Sequence, residues 1–210
     1  MGILDKINSS EDINKLSPDE LEPLCAELRS FLIENVAKTG GHLASNLGAV
    51  ELTVALHRVY DSSEDRIVFD VGHQSYVHKM ITGRRDKFPT LRQHGGLSGF
   101  TKPYEAYDDA FVAGHASTSV SVAFGMAKAR TLSKADYSVA AVIGDGALTG
   151  GLAYEGLTNV GGSEEPIVII LNDNGMSIAR NVGGMSKHLS HLRIRPGYMR
   201  IKSGYRSVVQ

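Results

Sequence analysis

An aspartate between two glycines, Gly144-Asp145-Gly146, ends the apolar run YSVAAVI at 137–143. A strand that finishes in a carboxylate framed by residues without side chains leaves space for a ligand to come close to the backbone. Two phosphate-binding patterns fail to account for it. The dinucleotide fingerprint requires G-x-G-x-x-G, and the third glycine falls one place late, at Gly150; a P-loop requires Gly-Lys-Ser/Thr, which does not follow. A carboxylate ~4 Å from a phosphate oxygen also repels it by ~4 kcal/mol at an effective dielectric of about 20. A divalent cation between the two reverses that sign, so Asp145 reads as a metal ligand. Asn174, in the Asn172-Asp173-Asn174 run that closes the next apolar stretch, supplies an amide oxygen. Mg²⁺ takes six oxygens at about 2.1 Å, and adjacent parallel strands lie about 4.8 Å apart. Asp145, Asn174 and one backbone carbonyl just beyond it can therefore share an ion, leaving the remaining positions to diphosphate oxygens and water. Taken alone, Gly-Asp-Gly is also compatible with a tight turn carrying a solvated aspartate.

Three histidines extend the pattern. His42, His73 and His115 each follow a glycine. An imidazole titrates near neutrality, at about 6.5, and suits proton transfer. A lone histidine is more often structural, but Gly-His pairs that fall on one rim point to a site. His115 can serve by hydrogen-bonding phosphate alone. His57 and His78 are assigned structural roles, and Glu51 and Glu155 read as surface or packing residues on helices.

The elements that must position these groups alternate. Ser17-Pro18-Asp19-Glu20 is a helix start, with Ser as cap and Glu three residues on. Leu21, Leu24, Leu28 and Leu32 follow at helical spacing, and Gly40-Gly41 ends the element. A second helix is expected over 47–60, a small-residue helix over 119–132, and a helical stretch carrying Leu148, Leu152, Leu157 and Val160. Short apolar strands are expected over 66–71, 110–113, 137–143 and 166–171. Uniformly apolar strands alternating with helices predict an α/β fold: a mostly parallel sheet with helices on both faces. Such sheets bind ligands at the carboxyl ends of their strands. Here those ends read Gly72-His73, Gly114-His115, Gly144-Asp145-Gly146 and Asn172-Asp173-Asn174. The helix beginning near Ala147 would aim its first amides at the same phosphates.

Composition narrows the class. The formal net charge is −1, which gives no overall pull toward nucleic acid or an anionic membrane. Cys25 is the only cysteine, so no internal disulfide forms and a reducing, cytoplasmic setting is expected. No apolar run approaches the ~20 residues of a membrane span. From Asn174 onward the chain carries lysines and arginines but no acid; without aromatic interleaving this reads as a solvated or active-site-crossing segment, not a nucleic-acid surface.

Gly144-Asp145-Gly146 followed by Asn172-Asp173-Asn174 resembles the thiamine-diphosphate motif of transketolase-like enzymes. Further segments narrow the resemblance to the 1-deoxy-D-xylulose-5-phosphate synthase family: GGHLASNLGAVELTVALH (40–57), DVGHQSYVHKMITGRRDKF (70–88), GGLSGF (95–100), GHASTSVSVAFGMA (114–127) and NDNGMSIARNVGGMSKHL (172–189). A transketolase would show Pro-Gly after the first Gly-His, where this chain has Leu43-Ala44-Ser45. The resemblance implies the thiamine-diphosphate-binding fold, with residues 1–210 as all or part of one diphosphate-binding domain. It implies Mg²⁺ held by Asp145, Asn174 and the Met176 carbonyl, and thiamine diphosphate bound by His73, Gly114, His115, Ala116, Gly146, Ala147 and Asn174. It places His42 and His73 as catalytic proton-transfer groups. Gly175 stands where the family usually has Glu or Gln, and Ala116 where Ser is common; neither change removes a metal ligand.

The implied reaction joins pyruvate to D-glyceraldehyde 3-phosphate with loss of CO₂, giving 1-deoxy-D-xylulose 5-phosphate for isoprenoid, thiamine and pyridoxal synthesis. The family's activating glutamate comes from a pyrimidine-binding domain, which, like the C-terminal transketolase-like domain, is expected to lie outside these residues. The chain alone is therefore expected to be inactive, or to act as a homodimer or with a companion chain. A subunit of a split transketolase-like enzyme and a non-catalytic cofactor-binding remnant remain the alternatives.

Overall fold

The computed structural model describes residues 2–173 and 182–209. Helix α1 (Pro18–Thr39) starts as its sequence predicts: the Glu20 carboxylate accepts hydrogen bonds from the Ser17 amide (3.0 Å) and hydroxyl (3.2 Å). Leu24, Leu28, Leu32 and Val36 form its buried stripe, packed on Ile13, Tyr76, Val77, Met80 and Phe88. Two helices follow, α2 (Leu43–Leu47) and α3 (Val50–Val59). The single helix expected over 47–60 is thus interrupted at Gly48-Ala49, where Ala49 leaves helical geometry (φ −119°, ψ 9°).

Strand β1 (Arg66–Phe69) leads through a turn into the short helix α4 (Tyr76–Lys79). After a long irregular stretch come α5 (Ser119–Ser133), β2 (Val139–Gly144), α6 (Gly151–Gly161), β3 (Val168–Asn172), α7 (Gly184–Arg193) and α8 (Pro196–Val209). The described strands form one parallel sheet, ordered β1-β2-β3, with Phe69 opposite Val142 and Gly144 opposite Asn172. One face packs Val68, Val139 and Ala141 on Ala123 and Ala127 of α5. The other packs Ile67, Phe69 and Val142 on Leu56 of α3. The α/β architecture with helices on both faces is the one the apolar runs predict. Close approach of α5 and α6 needs Gly156, where a Cβ would lie 2.9 Å from the Ser121 hydroxyl and 3.0 Å from Val120.

The strand expected over 110–113 is absent. Phe111 and Val112 are exposed, and the segment bonds to a loop instead of the sheet: Ala113 N–H donates to the Thr101 carbonyl (3.3 Å), and the Thr101 hydroxyl donates to the Phe111 carbonyl (2.9 Å). The Gly114-His115 rim element is therefore the end of a loop, not of a strand. No described helix is long and apolar enough to cross a membrane.

Candidate functional site

The site is built from the tips of β1 and β2. Asp70 follows β1 and is buried. Its carboxylate accepts the amides of Ser117 (2.8 Å) and Ser119 (2.9 Å), tying the strand tip to the first turn of α5. The backbone then turns sharply. Val71 lies at φ +60°, unusual for a β-branched residue, and Gly72 at φ +80°. A Cβ on Gly72 would stand 2.8 Å from that of Ala113, so this glycine lets the incoming loop pass. Together these contacts deliver Gly114, His115 and Ala116, all exposed, to the tip of β1. Gly114 sits at φ +156° with open space where a side chain would be.

The same loop is bonded to the tip of β2. Ser117 lies at φ +70°, and its hydroxyl donates to the Ala147 carbonyl (2.7 Å). Any side chain on Gly150 would collide with Ser117. Asp145 is buried directly beyond β2, and its amide donates across to the carbonyl of Asn172, the last residue of β3, at 3.3 Å. Residues 114–117, Asp145, Gly146 and Ala147 thus share one rim with His73. Asn174 and Met176, the other two residues assigned to the metal, lie outside the described residues. Among the described residues no three His, Cys, Asp or Glu side chains converge as a metal cluster.

His42 and His73 meet edge-on, with ring centroids 5.3 Å apart and planes at 77°. Phe100 stands 6.1 Å from the His42 ring. The Nδ1 atoms of both imidazoles are buried and have no hydrogen-bond partner among the described residues. Burial, then the Arg92 charge, lowers the pKa of His42; burial, then His42, lowers that of His73. Both rings are therefore neutral at pH 7, each with a nitrogen able to accept a proton. His57 and His78, by contrast, lie in a buried polar network described below, as their structural assignment implies.

The residues that hold this geometry are less visible in sequence. Asp70 is signalled only as an acid at the end of a buried strand. Ser117 is unmarked, and so is Asn46, a buried amide that touches both histidine-bearing segments.

A parallel α/β sheet with a buried carboxylate and an exposed glycine turn at the carboxyl ends of its strands, and a histidine pair beside them, belongs to the class of open α/β domains that bind ligands at that rim. Comparison with known sequences narrows the class. Residues 4–210 match the family profile described as 1-deoxy-D-xylulose-5-phosphate synthase. Curated relatives bearing that name include those of Alkaliphilus oremlandii, 59% identical over 94% of this chain and 32% of the relative, and Clostridium acetobutylicum, 54% identical over 99% of this chain and 34% of the relative. The relative from Caldanaerobacter subterraneus is 58% identical over 95% of this chain and 32% of its own. The chain belongs to the 1-deoxy-D-xylulose-5-phosphate synthase family, and it spans about a third of the length of these relatives.

Proposed function

We propose that this chain forms the diphosphate-binding domain of a thiamine-diphosphate- and Mg²⁺-dependent transferase that condenses pyruvate with D-glyceraldehyde 3-phosphate, releasing CO₂ and giving 1-deoxy-D-xylulose 5-phosphate in the cytoplasm. The observation that carries the proposal is the bond between the Asp145 amide and the last residue of β3. It sets a buried carboxylate beside the strand that leads to Asn174, with the exposed 114–116 turn anchored on the same rim.

In this reading Asp145, the Asn174 side chain and the Met176 carbonyl hold the metal. Gly114, His115, Ala116, Gly146 and Ala147 line the diphosphate. When bound, the coenzyme supplies the electron sink for breaking and making the carbon–carbon bonds. The chain's own part is binding, orientation and proton movement. His42 and His73, neutral at working pH, accept and return protons. A carboxylate for the coenzyme's pyrimidine is assigned to the family's length beyond these residues, supplied by a homodimer of the longer protein or by a companion chain.

Calorimetric titration of the chain with thiamine diphosphate tests the proposal. Binding in millimolar Mg²⁺ should exceed binding in EDTA by at least tenfold; equal affinity in both contradicts the role of Asp145. A subunit of a split transketolase-like enzyme is a second reading. Turnover restored by mixing this chain with the remaining part of a relative supports it.

A further inference from the structure

We propose that Asn46 is the positioning residue that sets the spacing and orientation of the His42–His73 pair. The inference rests on the reading above only in giving those rings a role in proton transfer; its geometry stands by itself.

Asn46 is fully buried on α2, a helix of five residues. Its side-chain nitrogen donates to the carbonyl of His42 (2.7 Å) and to that of His73 (2.8 Å). Its oxygen accepts the amide of Tyr76 (2.8 Å), at the start of α4. Both amide hydrogens and one oxygen lone pair are thus used. The network also fixes which way the amide points, because the opposite orientation would set its oxygen against two carbonyl oxygens. One side chain therefore ties together the loop that ends in His42, the turn that carries His73, and the helix that follows it.

Nothing else among the described residues does the same for His73. The His42 carbonyl also accepts the Ser45 hydroxyl (3.2 Å), and the His42 amide reaches the Tyr76 hydroxyl at 3.4 Å. The His73 carbonyl has no second donor among the described residues, and neither ring is held through its Nδ1. The ring pair is consequently set by its backbones, and the two backbones are set relative to each other by Asn46. Other side chains cannot substitute. Aspartate would face two carbonyl oxygens without a donor, serine is too short to span them, and alanine leaves the His73 carbonyl and the Tyr76 amide without a partner.

The test reads the histidines directly. In ¹⁵N-histidine spectra of the intact chain, His42 and His73 should each give a titration in the unsubstituted protein. Their charged neighbours are each other, Arg92 beside His42 and Asp70 beside His73. In Asn46→Ala the His73 midpoint should rise by at least half a pH unit toward that of a solvated imidazole, with a smaller change at His42, which keeps Ser45. Asn46→Ser, which preserves a polar group in the cavity, should give the same ordering and serves if Asn46→Ala does not fold. Val54→Ala, a core truncation on α3, is the control for general loosening and should move neither midpoint. Midpoints unchanged in both Asn46 variants, or shifted equally by Val54→Ala, overturn the proposal. Loss of Mg²⁺-dependent coenzyme binding by the unsubstituted chain would refute the function proposed above but would leave this readout intact.

Discussion

Asp145 places a carboxylate at the point where a phosphorylated ligand would otherwise meet an open strand tip, and the sign of that charge is the chemical reason to invoke a metal. Asp145→Asn keeps the shape and removes the charge. It should lower thiamine-diphosphate affinity in Mg²⁺ at least tenfold, corresponding to ~1.4 kcal/mol, and should narrow the gap between titrations with and without metal. A variant that binds as well as the unsubstituted chain in Mg²⁺ would remove Asp145 from the metal. The acid, the glycines around it and the three Gly-His pairs are legible in sequence because each is a local pattern of residue types. Asp70, Ser117 and Asn46 are not. Asp70 meets its amide donors at Ser117 and Ser119, and Asn46 meets the carbonyl of His73, across long stretches of chain. No spacing rule within one sequence connects such partners.

At the scale of elements, the three described strands and the helices between them are legible for a physical reason: a strand buried on both faces must be apolar throughout. The same rule misleads at 110–113. Those residues are apolar, yet they bond to the Thr101 loop and leave Phe111 and Val112 in solvent. What fixes that loop is the buried carboxylate of Asp70 at the start of α5, where it also complements the helix dipole. Asp70→Ala leaves the amides of Ser117 and Ser119 without their acceptor, at a cost of about 1–3 kcal/mol each. Urea unfolding should show the drop in midpoint, and coenzyme affinity should fall with it because the 114–117 turn loses its anchor; a drop in stability with unchanged affinity would separate the anchor from the site. Gly72→Ala acts on the same junction from the other side. The left-handed backbone costs about 1–2 kcal/mol by itself, and the new methyl meets Ala113 at 2.8 Å.

At the scale of the whole molecule, stability should depend on pH through a buried polar network that joins α3, α4, the segment after it and the loop at 98–113. Arg84 grips both oxygens of Asp109, at 2.8 Å each, and Asp109 lies 3.0 Å from Nε2 of His78. Facing a carboxylate, that nitrogen carries the proton, so Nδ1 of neutral His78 accepts from Nε2 of His57 at 2.9 Å. Lys79, also buried, pairs with Glu105 at 2.5 Å and lies 3.8 Å from Asp109. Burial lowers the pKa of both histidines; for His57 the charge of Arg84, and that of His78 once protonated, adds to it, whereas Asp109 partly opposes it at His78. Burial raises the pKa of Asp109, but its hydrogen bonds to His78 and Arg84 and the Arg84 charge outweigh it and hold the carboxyl below the ordinary range. The signs then separate two stages. As pH falls below about 6.5, the unfolded chain binds protons that folded His57 and His78 refuse, and each costs ~1.4 kcal/mol of stability per pH unit until its folded pKa is reached. His42 and His73, also lowered, add to the same slope. The contribution of Asp109 persists to lower pH and is lost only below about 3.9, where the unfolded carboxyl takes up its proton. Unfolding free energies measured from pH 7.5 to 5.5 should therefore be flat at the upper end and fall steeply below 6.5. His57→Gln retains an N–H for His78 while removing one titrating ring, so it should reduce the acid slope by about one proton, ~1.4 kcal/mol per pH unit. An unchanged slope in that variant would mean that His57 is not among the groups that refuse a proton in the folded chain.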